Sequence, residues 1–118
     1  MDEAQGKRVL VCDDERHIVR LLQVNLQRQG YGVTCAYGGR EAIERLEREE
    51  FDIAVIDREM PDVDGPMVLA WIRAHERTKD MRVIMLDKER SDDGPHDPPG
   101  ADLYLTKPFN PANIFSRA

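Results

Sequence analysis

Four carboxylates and one ammonium group directly follow short apolar segments of the sequence, and they are its first candidates for chemistry. They are Asp13, Asp14, Asp57, Asp87 and Lys107. Carboxylates that are brought together repel one another unless a cation or an ion pair compensates their charge. Such an oxygen-rich cluster is typical of a Mg²⁺ site, because this hard cation takes one or two carboxylates and keeps water for phosphate oxygens.

Asp57 is the candidate nucleophile of this set. A carboxylate can attack a phosphoryl group and form an aspartyl phosphate, while a bound metal and a lysine neutralise the transferred charge. Asp13 and Asp14 are then the candidate metal ligands. Lys107 is the candidate phosphate partner, since lysine binds phosphate as a point charge. Asp13 or Asp14 could instead cap the helix that follows, which is an ordinary role for an acid there.

Short apolar segments and amphipathic segments alternate along the chain. The apolar segments at 8–12, 33–36, 53–56, 83–86 and 103–105 have the length of buried strands, and apolar residues at helical spacing separate the first four. This alternation indicates an α/β fold in which helices cover both faces of a doubly wound parallel sheet. Ligands of such sheets bind at the carboxyl ends of the strands, where the five charged residues are expected.

Two segments interrupt the alternation near the end of the chain. Between the fourth and fifth strands, residues 91–100 contain three prolines and two glycines, a composition incompatible with an ordinary helix. We therefore expect a loop where a fourth helix would stand. The last segment, 111–118, has room for about two helical turns, which predicts a short fifth helix.

Length and charge limit the classes of function. The chain has 118 residues, which predicts a single domain over 1–118. Its net charge of −6 disfavours binding to nucleic acid and to anionic membranes, since both partners need a basic surface. Neither a membrane-spanning apolar run nor a secretory signal is found, so we expect a cytoplasmic chain with Cys12 and Cys35 as buried, reduced thiols.

Three motifs make the chain similar to a known family. They are Val-Leu-Val-Cys-Asp-Asp-Glu at 9–15, Asp-Arg-Glu-Met-Pro-Asp-Val-Asp-Gly at 57–65, and Tyr-Leu-Thr-Lys-Pro-Phe at 104–109. In this order and spacing they resemble the receiver domain of bacterial two-component response regulators, over residues 7 to about 115. The resemblance implies a flavodoxin-like fold, with five parallel strands in the order 2-1-3-4-5.

The same resemblance implies a function and its partners. A sensor histidine kinase or a phosphotransfer protein would donate the phosphoryl group to Asp57. Mg²⁺ would be held by Asp13 or Asp14, by Asp57 and by the backbone carbonyl of Glu59. Tyr104 matches the family's switch aromatic, and a homodimer or a downstream protein target would read the switch. The chain would be a phosphoacceptor rather than an enzyme, with at most self-phosphorylation and self-dephosphorylation.

Asp87 departs from the family pattern, which has Thr or Ser at the end of the fourth strand. An ionised carboxylate cannot donate a hydrogen bond to a phosphoryl oxygen, and two unit charges about 4 Å apart repel by roughly 4 kcal/mol at an effective dielectric of 20. Lys88 could pair with Asp87 or occupy the phosphate position. The Tyr104 hydroxyl could donate to Asp87, or Tyr104 could be a half-buried strand aromatic.

This departure leaves an alternative function open. The chain could be a degenerate receiver that acts as a phosphorylation-independent protein-interaction module. Two enzyme classes fit less well. A phosphohydrolase with an aspartate nucleophile would be expected to carry an Asp at the position of Glu59. A flavodoxin would need a phosphate loop where the sequence has Asp13 and Asp14.

Overall fold

Five strands form one sheet in the computed structural model of the chain, which describes residues 6–87 and 100–107. They are β1 (Arg8–Cys12), β2 (Gly32–Ala36), β3 (Ile53–Asp57), β4 (Arg82–Asp87) and β5 (Leu103–Thr106). Each neighbouring pair runs parallel, and the spatial order is β2-β1-β3-β4-β5. This is the order of a flavodoxin-like, doubly wound sheet, so the predicted fold class is confirmed.

Three helices connect the first four strands: α1 (Arg16–Arg28), α2 (Gly39–Arg48) and α3 (Gly65–Ala74). The apolar face of α1 is buried through Val19, Leu22 and Leu26, which recur at helical spacing. The start of α3 is fixed by Asp64, whose Oδ1 accepts a hydrogen bond from the Met67 backbone N–H at 3.0 Å. The loop between β3 and α3 therefore ends at a defined residue.

The sheet separates two apolar clusters, because successive side chains of a strand point to opposite faces. One cluster packs under α2 and α3 and includes Leu10, Cys12, Ala54, Ile56, Leu69 and Met85. The other packs under α1 and includes Val9, Val11, Val55, Ile84, Leu86 and Leu22. All five residues of β3 are buried, as expected of a central strand covered on both faces.

Strand register brings the predicted acids to one edge of the sheet. Asp57 closes β3 opposite Leu86, so the chain of β3 leaves the sheet beside Asp87 at the end of β4. Asp87 in turn lies opposite Thr106, one residue before Lys107. Asp13 follows β1 directly, and its backbone N–H donates to the Ala36 carbonyl at 3.2 Å. The carboxyl ends of four strands therefore meet around the candidate residues.

Three further sequence predictions concern the last part of the chain, its two cysteines and membrane-spanning segments. The loop predicted at 91–100 in place of a fourth helix lies, except for Gly100, outside the described residues, and so does the short fifth helix predicted at 111–118. Cys12 is buried and Cys35 is half-buried, and both are free thiols. Of the helices in the described part, none combines the length and the apolar character that crossing a membrane requires.

Candidate functional site

Lys107 is the centre of the acidic edge. Its Nζ lies 2.9 Å from Oδ2 of Asp13, 3.0 Å from Oε1 of Glu15 and 3.2 Å from Oδ1 of Asp57. The lysine side chain is 12% exposed, against 0% for Asp13 and 5% for Asp57. One ammonium group therefore holds three carboxylates that come from two separate strand ends, in a largely buried cluster.

Asp13 is held in place by the backbone as well as by the lysine. Its Oδ1 accepts a hydrogen bond from the Glu15 backbone N–H at 2.9 Å. The N-cap residue of α1 is Glu15, which makes no side-chain capping hydrogen bond, so neither Asp13 nor Asp14 has the helix-capping role considered above. Asp13 instead points its second oxygen at Lys107.

Burial and mutual repulsion make the carboxylates reluctant to ionise together. Burial, and after it the charge of Asp13, raise the pKa of Asp57 to about 7, although Lys107 partly offsets both effects. Burial also raises the pKa of Asp13, against hydrogen bonds from Lys107 and Glu15. Burial disfavours the charged form of Lys107, but its hydrogen bonds to Asp13 and Glu15 outweigh this and raise its pKa. The cluster has more negative than positive charge.

The donor set of the cluster suits a divalent cation. Asp13, Asp14 and Asp57 each offer a carboxylate oxygen, and these oxygens lie within 4.8 Å of one another. Asp14 is exposed, which leaves one side of the set open to solvent. Hard oxygen ligands with access for water are the arrangement that Mg²⁺ prefers. Glu59 lies along the same opening, a cleft of about 650 Å³ that Asp14 and Asp57 also line.

The loop between β3 and α3, which carries Glu59, is held at two points. Asp62 accepts hydrogen bonds from the backbone N–H groups of Gly39 at 3.1 Å and Arg40 at 3.2 Å, at the N-terminus of α2. These and other backbone N–H donors, that of Val63 first, hold the pKa of Asp62 below its usual range. The loop is therefore fixed to a neighbouring helix by a carboxylate that stays charged.

Gly65, the first residue of α3, holds the loop at a second point. Its N–H donates to the Arg58 carbonyl at 2.9 Å. A Cβ atom at this position would collide with the Asp57 carbonyl oxygen and lie 2.8 Å from Cα of Arg58. The glycine eight residues after Asp57 is thus required by the close approach of α3 to the backbone of the acidic edge.

Asp87 lies at this edge in an ion pair that the sequence did not predict. Its Oδ2 is 3.1 Å from Nη1 of Arg58, and the two side chains are 21% and 24% exposed. The register between β3 and β4 explains this pair. Asp57 lies opposite Leu86, so the residues that follow them, Arg58 and Asp87, are neighbours. Lys88, the partner considered from sequence, lies outside the described residues. Glu15, the third carboxylate on Lys107, was not predicted either.

Tyr104 lies on β5, half-buried, and packs against the cluster under α2 and α3. Its hydroxyl accepts a hydrogen bond from the Ala101 backbone N–H at 3.3 Å. This is the environment of a strand aromatic with a satisfied polar end. The switch role implied for Tyr104 stays a prediction.

Comparison with known proteins agrees with this geometry. The family described as response regulator receiver domain matches residues 9–118. The chain is 39% identical over 112 residues to the alkaline phosphatase synthesis transcriptional regulatory protein PhoP of Bacillus subtilis (strain 168), over 95% of this chain and 47% of that protein. It is 38% identical over 114 residues to the regulatory protein VanRc of Enterococcus gallinarum, over 95% and 48%. The chain spans about half the length of these relatives.

Solved structures show the same fold. The receiver domain of a Francisella response regulator superposes with a TM-score of 0.84 at 31% identity, over 95% of this chain and 93% of that one. The response regulator TrrA of Thermotoga maritima, in complex with Mg(2+)-BeF, gives a TM-score of 0.80 at 35% identity, over 94% and 95%. With its acidic edge, its parallel sheet and these matches, the chain belongs to the response regulator receiver domain family of two-component signalling.

Proposed function

We propose that the chain accepts a phosphoryl group on Asp57 and thereby switches a protein-interaction surface. The observation that carries the proposal is the position of Asp57, which is buried, lies 3.2 Å from Lys107 and lines a cleft open to solvent. A carboxylate in this environment is accessible from one side and has a cation beside it. These are the requirements of a nucleophile that receives a dianionic group.

The proposed transfer is an exchange of one bond for another. A carboxylate oxygen of Asp57 attacks the phosphorus atom, and the bond from phosphorus to the donor atom breaks with its electron pair on the leaving group. The leaving group is an imidazole, which then takes a proton from solvent, or acetate when acetyl phosphate is the donor. Lys107 stays charged and offsets negative charge on Asp57 and Asp13 during this exchange.

Mg²⁺ is the cofactor in this proposal, and Asp13, Asp14 and Asp57 are the side chains that would hold it, with the backbone carbonyl of Glu59. Bound Mg²⁺ neutralises charge on phosphoryl oxygens. The fit rests on the three carboxylate oxygens within 4.8 Å of one another and on the exposure of Asp14. Lys107 contacts two of the same carboxylates, so it lowers their repulsion when the chain is without metal.

The partners follow from the same proposal. The donor would be a sensor histidine kinase or a phosphotransfer protein, and the acceptor surface would serve a homodimer or a downstream protein. The chain would act as a signalling domain, with at most self-phosphorylation and self-dephosphorylation. We place it in the cytoplasm, where its free thiols Cys12 and Cys35 would stay reduced. Because its net charge is −6, any contact with DNA is assigned to another segment or protein.

Phosphorylation by acetyl phosphate tests the proposal directly. The chain is incubated with acetyl phosphate and Mg²⁺, and intact-mass spectrometry and peptide mapping locate the acyl phosphate. We expect one label on Asp57 and none after Asp57→Asn. The exposed acid Asp80 gives a matched control, since Asp80→Asn should be labelled like the unchanged chain. An unlabelled chain, or a label that survives Asp57→Asn, contradicts the proposal.

A second candidate function rests on Asp87. Its carboxylate stands where the family pattern has a hydroxyl, and it already pairs with Arg58. A degenerate receiver would keep the fold and bind its partner without phosphorylation. Beryllofluoride with Mg²⁺ separates the two candidates by the amide NMR spectrum. Shifts around Asp57 and across β4 and β5 favour the switch, whereas an unchanged spectrum favours the degenerate receiver.

A further inference from the structure

The cleft beside Asp57 has an unusual balance of charge. Among the described residues that line it, five are acids and one is a cation: Asp14, Glu15, Asp57, Glu59, Asp64 and Arg58. A phosphoryl group that enters this cleft carries negative charge and meets mostly negative walls. Apart from the Mg²⁺ that the proposed function places on Asp14 and Asp57, the one cationic group among the described lining side chains is the guanidinium of Arg58.

Lys107 is poorly placed to take this role alone. An ammonium group has three N–H donors, and that of Lys107 already lies within 3.2 Å of three carboxylates. A phosphoryl oxygen could bind it only by displacing or sharing one of these partners. The guanidinium of Arg58 has five N–H donors, and its hydrogen bond to Asp87 at 3.1 Å leaves donors for a second anion.

The backbone holds Arg58 and Asp87 in a fixed relation to Asp57. The Arg58 N–H donates to the Leu86 carbonyl at 2.7 Å, and the Lys107 N–H donates to the Asp87 carbonyl at 2.7 Å. The two paired side chains are each less than a quarter exposed, at 24% and 21%. Asp87 therefore orients the guanidinium, and the guanidinium offsets negative charge on a carboxylate that repels a phosphoryl group.

From this arrangement we infer that Arg58, oriented by Asp87, binds the oxygens of the phosphoryl group that Asp57 accepts. The inference rests on the proposed function, since it assigns a second residue to the same transfer. Arg58 is an additional phosphoryl-binding residue, and Asp87 is a positioning residue that acts through it. The pair supplies hydrogen-bond donors at the strand end where the family pattern places a hydroxyl.

A double-mutant cycle tests the inference with acetyl phosphate as the probe. Initial rates of Asp57 labelling are measured against acetyl phosphate concentration, at fixed Mg²⁺, for Arg58→Ala, Asp87→Ala and the double variant. Arg58→Ala should raise the KM for acetyl phosphate about 10-fold or more, the loss expected for one charge-assisted hydrogen bond. Arg58→Lys should recover part of this loss, because it restores the charge without the fixed fork of donors.

The double variant distinguishes binding from mere neutralisation. If Arg58 binds the phosphoryl group, Arg58→Ala with Asp87→Ala should be labelled better than Arg58→Ala alone and still less well than the unchanged chain. Complete recovery in the double variant would mean that Arg58 only neutralises Asp87, and this overturns the inference. An unchanged KM in Arg58→Ala overturns it as well.

Two controls distinguish failure of this inference from loss of the fold and from failure of the proposed function. Thermal unfolding of each variant shows whether the fold is kept, and Arg58→Lys serves as the test if the alanine variant does not fold. Binding of beryllofluoride with Mg²⁺ is followed by fluorine NMR. If the unchanged chain neither labels Asp57 nor binds beryllofluoride, the proposed function and this inference fail together. If the unchanged chain does both and Arg58→Ala matches it, the inference alone fails.

Discussion

Two cations lie at the same edge of the sheet, and their surroundings differ. Lys107 is largely buried and faces three carboxylates, whereas Arg58 is about one quarter exposed and its ion pair is with Asp87. The first centre has excess negative charge, so an added cation or the loss of one carboxylate should relieve it. The second is a balanced pair, so removing either partner creates an imbalance. One edge thus holds a cluster that stores repulsion and a pair that is neutral at rest.

This contrast indicates a division of roles. Stored repulsion makes the Lys107 cluster responsive to Mg²⁺ and to the charge state of Asp57. The Arg58–Asp87 pair should respond little to either of them, and it should respond mainly to an anion that also binds the guanidinium. Substitutions in the Lys107 cluster should therefore change the unfolding free energy most. Reaction with the phosphoryl donor should depend on the Arg58–Asp87 pair as well as on the cluster.

Removing Lys107 should produce the largest effect on stability. Lys107→Ala leaves three carboxylates near one another without their cation, and breaking a buried ion pair in this way costs about 3 kcal/mol of unfolding free energy. Urea denaturation at pH 8 measures the change. Lys79→Ala removes an exposed pair with Glu76 and should cost well under about 1 kcal/mol. Similar losses in both variants would contradict the contrast between a buried cluster and surface pairs.

Asp57→Asn should have the opposite sign and stabilise the fold above neutral pH. Since the folded-state pKa of Asp57 is raised to about 7, its proton-linked stability is fully present below the unfolded pKa and lost as pH rises through about 7. The asparagine variant lacks this loss, so its advantage should grow between about pH 4 and pH 7 and then level off. We expect a gain of about 2 kcal/mol at pH 8, after allowance for solvent screening.

Denaturation of both chains at pH 4.5, 6 and 8 measures this gain. Asp80→Asn controls for loss of an exposed acid and should show no such trend. An advantage that is constant across this range would show that the raised pKa of Asp57 is not its source.

Mg²⁺ should have the next largest effect, confined to the cluster. At ten times its dissociation constant the ion would add about 1.4 kcal/mol to the unfolding free energy, because only the folded chain brings the carboxylates together. Thermal unfolding with Mg²⁺ and with a chelator measures the difference. Asp13→Asn should reduce it strongly and Asp87→Ala only slightly. Equal reductions would mean that the two centres are not separate.

The smallest effect is expected for removal of the balanced pair. Asp87→Ala together with Arg58→Ala takes away both charges of a partly exposed ion pair, so the unfolding free energy should change by about 1 kcal/mol or less. Each single variant should be at least as destabilised as the double, because it removes the opposite charge that one member of the pair contacts at 3.1 Å. Urea denaturation of the three variants completes the comparison. A double variant that is less stable than both singles would show that packing, rather than charge, holds Arg58.

Much of this edge was predictable because strand ends are marked in the sequence. Apolar segments followed directly by Asp13, Asp57 and Asp87 identify where the chain leaves a parallel sheet, and parallel sheets bring those ends together. The Arg58–Asp87 pair could not be predicted in the same way, since it depends on the register between β3 and β4. The contact of Glu15 with Lys107 could not be predicted either, because the two residues are 92 positions apart in the sequence and their contact depends on side-chain conformation.

The link between Asp62 and α2 has a practical consequence. The amides of Gly39 and Arg40 donate to Asp62 from the first turn of α2, on the far side of the loop that begins after Asp57. Opening of that loop would free these two amides to exchange with solvent, while the acidic cluster itself stays unlabelled and unmutated. Their hydrogen-exchange rates would therefore report the motion of the loop from outside the site, with and without Mg²⁺ and beryllofluoride.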